Sequence, residues 1–176
     1  MEKKASFWKP ALIYGAIVGF VGILLGVIFY IMDLATANWT SYLSMVVGIA
    51  VLAYCLVAYR KEYLGGFAKF GQIFVMALVI GIISSIITTI YSYVLYTFID
   101  PELIDKIKLV AEEKMMNNPR IPENMLDDMI ERMAKNFEPK RMLTMALIVG
   151  VVVNAVIGLI LAAFIKKEEN PVDTAV

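Results

Sequence analysis

Residues 71–99 read GQIFVMALVIGIISSIITTIYSYVLYTFI, 29 positions without an Asp, Glu, Lys or Arg. About 20 apolar residues of helix cross the ~30 Å hydrocarbon core of a bilayer, so this run spans one with turns to spare. A charged side chain at that depth costs roughly 2.5 to 3.5 kcal/mol on insertion scales, which makes an unbroken run informative. Its length requires the helix to tilt or to protrude.

Three further runs are equally free of charge: 11–32, 42–59 and 142–165. The first is too long for the ~7 to 15 residue core of a signal peptide, although Lys3, Lys4 and Lys9 precede it and Ala35, Thr36 and Ala37 mimic a cleavage site. The sequence therefore predicts an all-α membrane protein, residues 1–176 forming one polytopic domain of four transmembrane helices. Composition agrees, with 60% hydrophobic residues and a mean hydropathy of +0.75.

Lys and Arg collect on the cytoplasmic side of short connections. They flank the first span (Lys3, Lys4, Lys9), fill the second connection (Arg60, Lys61, Lys69) and open the tail (Lys166, Lys167), while residues 33–41 have none. Both termini are thus expected in the cytoplasm, and residues 100–141 outside. Within that loop Asp100 can cap a helix begun by Pro101 and Glu102, with Leu103, Ile107, Val110 and Ala111 at helical spacing, until Asn117, Asn118 and Pro119 stop it. Pro122 and Glu123 mark a second start, followed by Met125, Leu126, Met129, Ile130 and Met133 on one face. The expected structure is an extracytoplasmic two-helix hairpin between spans 3 and 4.

The 16 basic and 16 acidic residues cancel, so no overall field attracts nucleic acid. Without histidine, and with Cys55 as the single cysteine, the chain can build neither an imidazole nor a thiolate metal site, and no cofactor is expected. Met125, Met129 and Met133 could cradle a cuprous ion, but their spacing is equally that of an ordinary amphipathic face. The acid pairs Glu112–Glu113 and Asp127–Asp128 point apart on a helix, as on a solvated face, so no catalytic pair is assigned and no enzymatic activity is expected.

Two stripes of small residues suit close helix packing: Gly15, Gly19, Gly22 and Gly26 in the first span, and Ala146, Gly150, Asn154, Gly158 and Ala162 in the fourth. Their partner helix can lie in this chain or in a second copy. An unpaired amide at mid-span is costly, so Asn154 is expected to hydrogen-bond across an interface. In the third span Ser85, Thr88, Thr89 and Ser92 share a face. That face either lines a polar pathway or bonds back to its own helix.

The Gly65-Gly66 pair, followed by Phe70-Gly71-Gln72 and Phe74, and the Phe98-Ile99-Asp100-Pro101 stretch give the chain a resemblance to bacterial four-span membrane proteins catalogued as domain of unknown function 4199. The resemblance implies a bacterial inner-membrane location and the same span layout. It carries no assigned activity and no functional residues. The expected role is a non-enzymatic, partner-binding or envelope-associated component in contact with membrane lipid, with the 100–141 loop as its protein-binding surface. The alternative is a small transporter or homo-oligomeric channel.

Overall fold

The computed structural model describes residues 7–119 and 121–167; Lys3 and Lys4 of the basic N-terminal segment lie outside them. Six α-helices follow in order: α1 (Trp8–Ile31), α2 (Asn38–Tyr63), α3 (Phe70–Val94), α4 (Glu102–Met116), α5 (Glu123–Asn136) and α6 (Pro139–Ile165). Among the described residues there is no strand, only one antiparallel bridge between Ala68 and Lys167. Helices α1, α2, α3 and α6 are each long and apolar enough to cross a membrane. Phe20, Leu24, Ile86, Ile90, Val152 and Val156 lie exposed along three of them, as expected of surface that meets lipid.

Helix α3 is the centre of the bundle, flanked by α1 and α6, while α2 leans mainly on α1 and has few contacts with α3 and α6. The glycines of α1 receive α3. A Cβ on Gly15 would sit 2.7 Å from Ile83 Cβ, one on Gly19 3.0 Å from Ile87 Cβ, and one on Gly22 3.1 Å from Thr88 Cγ2. On the other side α3 and α6 exchange small residues: Gly81 faces Asn154, Gly150 faces Ser85, and Gly158 faces Ala77. In lipid no hydrophobic force drives helices together, so dispersion across such close approaches supplies the attraction. Both stripes thus meet α3 of the same chain.

The core lies at one end. Ala11 and Tyr14 of α1, Leu52, Cys55, Leu56 and Tyr59 of α2, Ile73, Met76, Ala77 and Ile80 of α3, and Ala162 and Ile165 of α6 form one buried cluster. Polar ties close this end. Arg60 Nη1 donates to the Ile165 carbonyl at 2.7 Å and Tyr14 Oη donates to Glu62 Oε2 at 3.0 Å. Ala68 and Lys167 exchange two backbone hydrogen bonds, and the Lys167 ammonium lies 5.3 Å from the centre of the Phe67 ring.

The Gly65-Gly66 pair makes this closure geometrically feasible. Gly65 has φ +66° and Gly66 φ +95°, backbone that side-chain-bearing residues rarely adopt, and Gly66 N–H donates back to the Arg60 carbonyl at 2.9 Å. Gln72 then reaches back, its Oε1 accepting the Lys69 N–H at 2.9 Å, and so satisfies one donor at the start of α3.

The far end is built differently. The third span is not α-helical to its end, because residues Leu95–Ile99 form a π-helical turn, a feature the charge-free pattern gave no sign of. Asp100 follows and does cap α4, its Oδ1 accepting the Leu103 N–H at 3.1 Å, while its Oδ2 accepts the Tyr30 hydroxyl at 3.3 Å. Helix α4 touches the π-helical turn and α5, and α5 touches α6. Surface i,i+4 ion pairs, exposed on α5 as for Lys135 with Glu131 at 2.8 Å and half-buried on α4 as for Lys108 with Glu112, contribute little each.

Candidate functional site

Away from the closed end α1 and α6 stay close to α3 while α2 stands off, and a crevice opens. Burial along the α6 stripe records the change: Ala162 is 0% exposed, Gly158 is buried, Asn154 and Gly150 are half-buried, and Ala146 is exposed. In α1, likewise, Gly15 and Gly19 are buried but Gly22 is exposed.

A cavity of about 330 Å³ opens midway along the spans, enclosed by Val18, Gly22 and Leu25 of α1, Ser44, Gly48 and Leu52 of α2, Ser84, Ser85 and Thr88 of α3, and Gly150, Val153, Asn154 and Ile157 of α6. A second of about 260 Å³ shares Gly22, Ser44 and Thr88 with it and continues to Tyr30, Thr40, Ser41, Tyr91, Ser92, Tyr96, Leu103 and Ile107. A groove of about 530 Å³ between residues 35–42 and α4 shares Ala35, Ser41 and Ile107 with the second and carries Lys114 on its rim. The three adjoin one another through these shared residues, a crevice that runs from mid-span to α4.

Its polar groups are mostly committed to their own helices. Ser84 Oγ donates to the Gly81 carbonyl at 3.1 Å, and Thr88 Oγ1 bonds to the Ser84 and Ser85 carbonyls at 3.0 and 3.2 Å. Asn154 faces α3 but makes no interhelical bond: its Nδ2 donates to the Gly150 carbonyl, one turn back, at 2.8 Å. That corrects the cross-interface expectation. Across the interface Asn154 meets Gly81, which has no side chain to offer a partner, whereas the i−4 carbonyl of its own helix is within reach.

Of the four hydroxyl residues expected on one face, Ser85 and Thr88 line the middle cavity and Ser92 the outer one, while Thr89 lines neither. Ala146 is exposed, one turn before Gly150, which meets Ser85 of α3. Met125 and Met129 are exposed on α5. The contribution of α2 was not anticipated from the sequence. Ser41, Ser44 and Gly48 stand at i, i+3 and i+7, a small and polar stripe that helical spacing alone could have flagged. The chemistry available is recognition: apolar walls, hydroxyls that offer acceptor lone pairs, and aromatic rings toward the outer end.

No curated protein and no solved structure matches the chain. One family does, over residues 13–167, from the second turn of α1 to the residue that pairs with Ala68. With nearly its whole length matched, this four-span membrane protein belongs to the family described as protein of unknown function, DUF4199.

Proposed function

We propose that the chain is a non-enzymatic binding component of the bacterial inner membrane, that its site is the crevice, and that the crevice opens to the outer side. The observation that carries this reading is the asymmetry of the bundle. The middle cavity ends on Leu52, and beyond it Leu56, Ile73, Met76 and Ile80 are fully buried. A pathway closed by a packed floor favours a pocket over a channel. The middle cavity, at about 330 Å³, falls within the ~300 to 1,000 Å³ of ordinary ligand sites.

Orientation rests on the segments beside the span ends. Lys9, Arg60, Lys61, Lys69, Lys166 and Lys167 gather at the closed end, and the connection between α1 and α2 has no Lys or Arg. Residues 100–141 hold the other half of the chain's 16 basic residues, interspersed with acids. The short segments therefore decide the assignment.

The test is purification in a mild detergent beside a Gly48→Phe variant. A Cβ on Gly48 meets no atom within 4 Å, so a phenylalanine side chain starts into open space on the crevice side. The wild type is expected to retain a bound molecule that the variant lacks; identical contents would overturn the assignment of the site. A protein held instead at α4 and α5 would stay with Gly48→Phe and leave on deletion of residues 101–135.

A further inference from the structure

The crevice has the length and the polarity gradient of one lipid chain. From Leu52 at its floor to Thr40 near its mouth, α2 rises about 18 Å at ~1.5 Å per residue. One leaflet's share of the ~30 Å hydrocarbon core is roughly 15 Å, the depth a single acyl chain fills. The deep walls are predominantly apolar, and the Ser84 and Thr88 hydroxyls there, with the Asn154 amide, donate to carbonyls of their own helices. Hydroxyls of Ser44, Ser84, Ser85 and Thr88 line the deep part as well, but phenols come in only toward the mouth, where Tyr30, Tyr91 and Tyr96 stand with Thr40, Ser41 and Ser92. The medium around the four spans is itself hydrocarbon, and α2 has few contacts with α3 and α6 to bar a chain from it.

Resting on the binding role above, we propose that the crevice holds one acyl chain of a membrane phospholipid, its methyl end against Leu52 and its headgroup at the Tyr30 end beneath α4. Burial of methylenes supplies the affinity and the hydroxyls at the mouth orient the polar end. The chain enters sideways between α2 and α6.

The experiment uses full-length protein in nonionic detergent and a phosphatidylglycerol carrying a photoreactive diazirine midway along one acyl chain. After irradiation, adducts are expected on peptides containing Gly48, Leu52 and Val153, to disappear with excess unlabelled lipid, and to fall at least about ten-fold in Gly48→Phe. The competition in wild type decides the matter even if that variant does not fold. Adducts spread over the bilayer-facing Phe20, Leu24, Val152 and Val156, indifferent to competitor and variant, would overturn the proposal. Labelling by a photoreactive palmitate but not by the phospholipid would overturn the assignment to a membrane lipid. A cysteine at Gly48, stripped of lipid by exhaustive detergent exchange, separates the two levels: if it then reacts with N-ethylmaleimide while lipid adducts fail, the site stands with another ligand. If it is inert, both readings fall.

Discussion

Replacing Gly81 with alanine is expected to lower the unfolding midpoint in detergent by roughly 2 to 12 °C, while the same change at Gly48 leaves it level or raises it. The two glycines lie in mid-helix and differ only in what surrounds them. A Cβ on Gly81 would sit 2.6 Å from Asn154 Cβ, an atom fixed to the α6 backbone, so α6 itself must move off α3. Overpacking of this kind costs about 1 to 3 kcal/mol, and here it acts on the largest helix interface in the molecule. Gly48 has open space, so alanine there gains the ~1 kcal/mol of helix propensity that glycine forfeits. Gly15→Ala should resemble Gly81→Ala, since its Cβ meets Ile83 Cβ at 2.7 Å. Gly26→Ala should be mild, because its contact at 3.3 Å is the edge of the Tyr91 ring, which can shift. Equal midpoints for Gly81→Ala and Gly48→Ala would contradict the packing of α3 on α6.

Arg60→Ala is expected to loosen α2 as a unit. Its guanidinium bonds the last carbonyl of α6 at 2.7 Å, where the negative end of the helix dipole also favours a cation. A hydrogen bond to a charged group is worth about 1.5 to 3 kcal/mol. The Arg60 Nε, enclosed without a hydrogen-bond partner among the described residues, sets the net value toward the lower figure. The structural effect is larger than the energy, because α2 has few contacts with α3 and α6 elsewhere. Trypsin should cut after Lys61 faster in Arg60→Ala than in wild type, with a fall in midpoint, and Arg60→Lys should recover part of both. Unchanged cleavage would place the hold on α2 elsewhere.

The spans were legible in the sequence because charge is excluded from hydrocarbon, and four charge-free runs leave little choice. Helices α4 and α5 were legible from their starts, where Asp100 and Pro122 act as punctuation. The glycine stripes could be read as close approaches, but what they approach depends on helix rotation, which spacing does not encode. The crevice was least legible. Helical spacing marks the Ser41, Ser44 and Gly48 stripe of α2, but it does not say whether that stripe meets another helix, as the glycines of α1 do, or open space. The π-helical turn at Leu95–Ile99 left no mark in composition at all.

Gly48 and Cys55 lie seven residues apart on the same face of α2, two turns or about 10 Å along the helix. One faces the crevice and the other, a free thiol with 0% exposure, sits in the packed floor. The most direct test is N-ethylmaleimide modification of Gly48→Cys protein after exhaustive detergent exchange, with native Cys55 as the internal comparison. A bundle closed at one end and open from mid-span predicts prompt reaction at position 48, with Cys55 reacting only on unfolding. Equal protection at both positions would mean that the four helices pack along their whole length, and the crevice would not exist.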